Sequence, residues 1–333
     1  MSTIIQVYNR ASDLPQFVWK AFQARPQATN IVYAHAEKLK GEESSLEYPP
    51  NQLWLTCVTK GLAGEQRLDF VLACFDDARE PSQHYPVFIV TWRPYRELQS
   101  KEVYHCLEQL ADKLYRNEAV GRIFSVFAPD PVAHTFAEIW KNITGINIES
   151  PPYYAASLMS CARPRNNTTQ LPMTLRLATM QDAGLVAALC KGFADESEPY
   201  TLDDAGAYSE ATRLINDGVL WVCLDPSSNT AKIACIVAAA RVTETVSAIT
   251  KVYTLPECRG HKYAQYLTNY VVHELLKSKK SVVLYVSHGN NAKKVYERVG
   301  FVELGLEEEI GSGDSCKWCE IGFDRRRVDL GHW

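Results

Sequence analysis

Residues 161–172, Cys-Ala-Arg-Pro-Arg-Asn-Asn-Thr-Thr-Gln-Leu-Pro, interrupt the patterning of the chain close to its midpoint. The stretch is polar and holds two prolines, which cannot donate to a ladder or continue a helix interior. It reads as a linker. A length of 333 residues also exceeds what one core of about 100 to 200 residues usually serves. The chain is therefore expected to form two domains, 1–162 and 173–333, with 163–172 between them. Each half is about 160 residues long, an ordinary domain size.

Downstream of the break, short apolar runs alternate with helical periods. Leu175–Thr179 reads as a strand, Gln181–Phe193 as a helix and Ala205–Asn216 as a second helix stopped by Gly218. Val219–Leu224, Ile233–Ala240 and Ser247–Thr254 read as three strands, antiparallel neighbours because their connections are short. After Pro256 the period changes. Ala264, Leu267, Thr268, Val271, Val272 and Leu275 recur at helical spacing, so a helix is predicted from about Gly260 to Lys277. Ser281–Val286 is a strand of the buried type, Asn291–Val299 a short helix stopped by Gly300. Phe301–Ile310 and Cys316–Phe323 are strands around a Gly311–Asp314 turn. The N-terminal half shows a similar order: strands at 53–58, 68–75 and 87–92, a helix at 100–116, a strand at 122–128, a helix at 132–142 and a strand at 154–160. Either an internal duplication or an unrelated α+β domain gives that string. The fold class is α+β, with a mixed, mainly antiparallel sheet flanked by helices.

Charge narrows the partners. There are 35 Lys and Arg against 39 Asp and Glu, a formal net charge of -4, so neither nucleic acid nor an anionic membrane surface is favoured. No apolar run approaches 18 residues, so no membrane span is expected. The opening residues carry no basic region followed by an apolar stretch, so no signal peptide is expected and the cytoplasm is the predicted location. Ten cysteines, most inside apolar runs and without a metal or disulfide spacing, suit a reduced compartment. Cys316 and Cys319 form a lone CxxC in a predicted strand, where residues three apart point to opposite faces and cannot chelate one metal together.

The segment Thr250–Ala264 carries the chemistry: a strand ends, a tight turn follows and a helix begins at once. A helix start offers amides with no intrahelical partner, and successive amides in such a turn form a cradle for anionic oxygens. Gly260 and Ala264 let an anion approach the backbone, and Arg259, His261 and Lys262 add positive charge. The residues alone fit either a pyrophosphate site or a plain strand–helix connection with surface cations. Cys258 in the turn is either a packing residue or a thiol activated by its cationic surroundings.

Val252-Tyr-Thr-Leu-Pro-Glu-Cys-Arg-Gly-His-Lys-Tyr-Ala264 resembles the coenzyme A loop of the GNAT superfamily of N-acyltransferases, R/Q-x-x-G-x-G/A. About 30 residues on, the stretch Leu284–Phe301 is similar to the family's N-x-x-A-x-x-x-Y-x-x-x-G-F/Y. The resemblance covers residues 173–324 and, through Thr-Leu-Pro-Glu before Arg259, extends to the glycine N-acyltransferase branch, whose members carry a degenerate N-terminal half. Two departures stand out. Lys262 occupies the place of the loop's central glycine, and Gly289 stands where the family's asparagine is expected, with Asn290 one residue too close to Ala292.

The resemblance implies the acyl-CoA N-acyltransferase fold, in two tandem copies, and an acyl-CoA co-substrate, most simply acetyl-CoA. It implies that the cofactor lies in a gap between strands 247–254 and 282–286. Val252, Tyr253 and Thr254 would line the pantetheine arm, and Arg259, Gly260, His261, Lys262, Tyr263 and Ala264 would hold the pyrophosphate, with Asn291 beside them. Tyr296 would be the general acid that protonates the leaving thiolate. No carboxylate lies in strand 247–254, so the base is left among Glu196, Glu198, Asp203, Asp204, Glu244, His288 and Glu307–Glu309. The expected reaction needs no metal. The expected acceptor is the primary amine of a small molecule, and the protein a monomer or homodimer. A non-catalytic acyl-CoA-binding module and a protein or peptide N-acetyltransferase are the alternatives. The N-terminal half has no glycine between strand 87–92 and the helix that follows it, and a tryptophan, Trp140, where the tyrosine would align, so it reads as inactive.

Overall fold

The structure is a computed structural model that describes residues 2–43, 50–61, 65–77, 84–165, 173–226, 232–305 and 317–332. In chain order the elements are β1 (Ser2–Tyr8), α1 (Gln16–Ala24), α2 (Asn30–Glu42), β2 (Gln52–Lys60), β3 (Gln66–Phe75), β4 (Val87–Thr91), α3 (Lys101–Asn117), β5 (Ser125–Pro129), α4 (Asp130–Thr144) and β6 (Tyr154–Cys161). They continue with β7 (Leu175–Leu177), α5 (Ala183–Asp195), α6 (Asp204–Asn216), β8 (Leu220–Leu224), β9 (Ile233–Ala240), β10 (Val246–Thr254), α7 (Tyr263–Leu275), β11 (Ser281–Ser287), α8 (Ala292–Val299), β12 (Val302–Glu303) and β13 (Lys317–Gly322). Strands largely antiparallel and helices on them make this the α+β class expected. No helix among the described residues is long and apolar enough to cross a membrane.

Two compact units result, 1–158 with 303–333, and 159–302. In the first, β1, β2, β3 and β4 are successive antiparallel neighbours, and β4 runs parallel to β5. The last strand of the chain, which the linker-based division assigns to 173–333, completes this unit: β13 pairs antiparallel with β5, Cys319 opposite Ala128, and with the start of β6. Its buried Trp318 stacks on Phe127 at 5.2 Å, the physical reason the strand belongs there.

The second unit is a β7-β8-β9-β10 antiparallel run followed by β11, parallel to β10. Strand β9 shows why it folds as a layer between helices. Cys235, Val237 and Ala239 face the α7–α8 side, while Ile236 and Ala238 face the α5–α6 side. A strand buried on both faces reads as a continuous apolar run, as Ile233–Ala240 does.

Three elements go beyond the sequence reading, β1, α1 and α2. The helix predicted from Gly260 begins only at Tyr263, and residues 259–262 form the loop before it. The predicted strand 301–310 is described only at Val302–Glu303 and its remainder from 306 lies outside the described residues, as do 166–172, Glu307–Glu309, the 311–314 turn and Cys316.

Candidate active site

Strands β10 and β11 pair from Val246–Ser281 to Ile249–Leu284, and there the ladder stops, although β10 continues to Thr254 and β11 to Ser287. The cause lies in β10. Its pairing with β9 slips between Ile249 and Lys251, leaving Thr250 as an exposed bulge. A bulge adds twist and bends its strand, and this one falls where the pairing with β11 ends. Beyond it Leu255 N–H donates to the Ala234 carbonyl at 3.0 Å. Antiparallel alternation then turns the backbone groups of Lys251 and Tyr253 toward β9, and those of Val252 and Thr254 toward the opening. The Thr254 carbonyl accepts from Arg259 Nε at 3.2 Å, in keeping with that direction.

The turn that follows is built from two left-handed residues, Gly260 at φ +85° and Lys262 at φ +63°. Lys262 is the N-cap of α7, and no side chain caps the helix. The first helical bond is Tyr266 N–H to the Lys262 carbonyl, 3.1 Å. The amides of Gly260, His261, Lys262, Tyr263, Ala264 and Gln265 meet no acceptor among the described residues. A Cβ placed on Gly260 would meet nothing within 4 Å, so the cradle is open on that side. Unpaired amides at a helix N-terminus are the kind of donors that suit anionic oxygens. The departure at Lys262 thus falls on a position whose backbone suits glycine, at a cost of about 1–2 kcal/mol for a side chain there.

Side chains divide by face. Val252 packs toward the core that holds Tyr296, Ala264 and Leu267. Tyr253 turns the other way, among α5 and α6, where Gly192 leaves room for its ring; a Cβ at 192 would lie 2.5 Å from its hydroxyl. Burial, then Glu196, raise the Tyr253 hydroxyl above the usual phenol range. Tyr263 is buried and donates to Asp225 Oδ1 at 3.1 Å, fixing the start of α7. Tyr263 therefore offers the opening its backbone only, and Tyr253, with its backbone paired to β9 and its ring among α5 and α6, offers it neither. Arg259 Nη2 contacts Glu196 Oε1 at 2.5 Å, so its charge is already paired. His261 stacks on Tyr263, and its Nδ1 lies 3.3 Å from the Cys258 carbonyl. Burial raises the Cys258 thiol, which counts against an activated thiol in the turn.

Tyr296 is 8% exposed, on α8, edge-on to Phe301 at 6.0 Å and in one cluster with Val282, Leu284 and Val286 of β11. Asn291 is the N-cap of α8, but the side chain that holds its first turn is Asn290, whose Oδ1 accepts from Ala292 N–H at 2.8 Å. Among the base candidates, Asp203 caps α6 through Gly206 N–H, Asp204 pairs with Lys191, Glu196 pairs with Arg259, and His288 is exposed past β11. One group was missed. Glu210 on α6 takes Lys251 Nζ at 3.1 Å and Arg213 at 2.6 Å. Burial pushes its carboxyl up, but the two cations outweigh this and hold it below the usual range. The legible signal was Lys251 itself, the one charged residue in Val246–Thr254.

Residues 229–312 match the family model of the acetyltransferase (GNAT) domain. The chain carries a GNAT acetyltransferase domain. Among solved structures, a GCN5-related N-acetyltransferase from Sphaerobacter thermophilus aligns at TM-score 0.53 and 14% identity, over 99% of this chain and 98% of that one. The GNAT fold thus extends over the full length and fits a tandem arrangement. An acetyltransferase from the GNAT family from Colwellia psychrerythraea aligns over 96% and 98% of the two chains at 12% identity and TM-score 0.47. A tandem GNAT protein from the clavulanic acid biosynthesis pathway covers the same shares at 12% identity and TM-score 0.45. No curated protein matches the sequence. For this GNAT domain an acyl-CoA co-substrate is what the family implies, and the uncapped amides of 260–265 suit its diphosphate.

Proposed function

We propose that the protein transfers an acyl group, most simply acetyl, from coenzyme A to the primary amine of a small molecule. The observation that carries this is the pairing of two features on one strand. β10 parts from β11 after Ile249, and the same strand leads directly into the uncapped, left-handed turn at Gly260–Lys262. The outward backbone of Val252 and Thr254 would pair with the pantetheine arm like an added strand. The amides from Gly260 to Ala264 would hold the diphosphate, with Asn291 flanking the arm. Engagement of Thr254 requires its carbonyl to exchange Arg259 for the incoming amide.

The amine attacks the thioester carbonyl, the C–S bond breaks and the thiolate takes a proton from Tyr296. A phenol has a pKa near 10 in water and is protonated at neutral pH, so it can act as this acid. The amine's own proton leaves to solvent, through water where no carboxylate is positioned. The balanced charge of the chain disfavours a polyanionic carrier, and we take a small acceptor over a peptide.

Calorimetry with acetyl-CoA on wild type and Gly260→Pro tests the placement. Proline removes one donor and cannot adopt φ +85°. Loss of a charge-assisted hydrogen bond worth about 1.5–3 kcal/mol predicts roughly 10- to 100-fold weaker binding. Equal affinity in a folded variant would remove the diphosphate from this turn. One observation favours a second reading, a binding module without turnover: Lys262 holds a strained glycine position. Tight acetyl-CoA binding with no coenzyme A release across a panel of amines would select that reading.

A further inference from the structure

Two clusters outside the acyl-transfer site bring three metal-type ligand atoms within 4.8 Å of one another, and both lie in the first unit. One is Cys57, Asp69 and Cys106. Its carboxylate is already filled: Asp69 accepts from Arg67 Nε and Arg93 Nε, both at 2.8 Å, and from Thr59 Oγ1 at 2.7 Å. Two guanidiniums on a fully buried carboxylate repel a metal cation.

The other cluster is Asp130, His134 and Cys319. Asp130 and His134 are four residues apart at the start of α4 and so share one helix face. Cys319 comes from β13, two positions from Lys317 and on the same strand face, while the intervening Trp318 points the other way onto Phe127. No Lys or Arg pairs with Asp130 among the described residues; its ion-pair partner is His134 Nε2 at 3.5 Å. The Cys319 thiol makes no hydrogen bond among the described residues and is 1% exposed, while the His134 and Asp130 side chains are 57% and 39% exposed. The set is thus anchored from below by a buried sulfur and open to solvent on the ligands above it.

We propose that Asp130, His134 and Cys319 form a binding site for a thiophilic divalent transition metal, zinc in the first instance. One thiolate, one imidazole and one carboxylate are the donors zinc accepts, and a tetrahedral ion with bonds of about 2.0–2.3 Å needs its ligand atoms about 3.5 Å apart. Asp130 and His134 can close that distance by side-chain rotation, being half-exposed, and a water completes the fourth position. Binding replaces the thiol proton of Cys319, released to solvent, with the metal bond. The ion joins the first turn of α4 to the last strand of the chain. It takes no part in acyl transfer.

The test uses the full chain, reduced and freed of metal, titrated with cobalt(II) and then zinc. Wild type is expected to develop a thiolate-to-cobalt charge-transfer band saturating at one equivalent, which zinc then abolishes. Cys319→Ser should erase the band, and His134→Gln and Asp130→Asn should each weaken cobalt binding by about 100-fold or more. Cys57→Ala should leave all of this unchanged. Absence of a thiolate band in wild type, or its survival in Cys319→Ser, overturns the site. Should Cys319→Ser not fold, the two half-exposed substitutions decide: an isotherm that neither of them moves overturns it equally.

Discussion

The two units arrive at the same structural corner and treat it in opposite ways. In each, an antiparallel strand is followed by a turn and a long helix, and runs parallel to the next strand: β4, α3 and β5 in one, β10, α7 and β11 in the other. In the first unit the helix start is closed by its own sequence. Ser100 is the N-cap, and its Oγ accepts from Val103 N–H at 3.3 Å. The turn before it has no left-handed residue, and Arg93 at its entry is buried against Asp69. In the second unit no described side chain caps α7, and two left-handed residues stand in the turn that leads into it. A helix that satisfies its own terminus gains about 1 kcal/mol and loses an anion site. One that leaves it open forgoes that stability for a ligand.

The largest test of this contrast is catalytic. If the second unit alone works, Tyr296→Phe should lower kcat by at least about 100-fold, the usual range for general acid loss. Its acetyl-CoA affinity, read by calorimetry, should hold, because the hydroxyl is asked to act only on the leaving thiolate. In wild type the same calorimetry should give one acetyl-CoA per chain. A second equivalent that survives Gly260→Pro would show the closed corner of the first unit to be usable after all.

A single position can push the open corner in either direction. Lys262→Asp would give α7 a self-cap that competes with a diphosphate, since an Asp carboxylate accepts from the first-turn amides and tolerates a left-handed backbone. About 10-fold weaker acetyl-CoA binding or more is expected. Lys262→Gly should bind at least as tightly as wild type and gain about 1 kcal/mol in denaturant unfolding, from release of the positive φ. Opposite signs at one site would tie affinity to the state of the helix terminus; the same sign for both would break the link. Ser100→Ala, by comparison, should cost the first unit about 1 kcal/mol and create no acetyl-CoA site.

This corner was legible in the sequence to the extent that its parts are local. Gly260, the abrupt change from strand to helical period and the Ala292–Tyr296 spacing are features of neighbouring residues, and they placed β10, the turn and α8 within a few residues. The bulge at Thr250 was not legible, because a register slip is a property of two strands, and Thr in a strand signals nothing unusual. Nor was the direction of Tyr253, which depends on Gly192 in a helix some 60 residues away. The same holds for Glu210 under Lys251 and for β13 beside β5, both settled by tertiary pairing. α2 lacked a clean period: it buries Asn30, Ile31, Val32, Tyr33 and Ala34 in succession, so no polar face marks it as a helix.

The smallest expected effect concerns how the second unit is held at its entry, ahead of α5. There Asp182 closes a capping box with Thr179 and accepts both Arg176 Nη1 and Nη2, at 2.7 and 2.9 Å. Arg176 first, then the Thr179 backbone and hydroxyl, hold the Asp182 carboxyl down at about 2 against an ordinary 3.8. A carboxylate with a depressed folded-state pKa stabilises the fold above its unfolded value and loses that contribution as pH falls toward the folded one. The loss therefore falls between about pH 4 and pH 2. In Arg176→Met the first cause is gone, so the unfolding free energy should fall less steeply with acid in that window, read from urea titrations at fixed pH. At the start of α3 in the first unit the capping group is the Ser100 hydroxyl, which does not titrate in this range. Acid sensitivity that stays unchanged in Arg176→Met would place the labile carboxylate elsewhere.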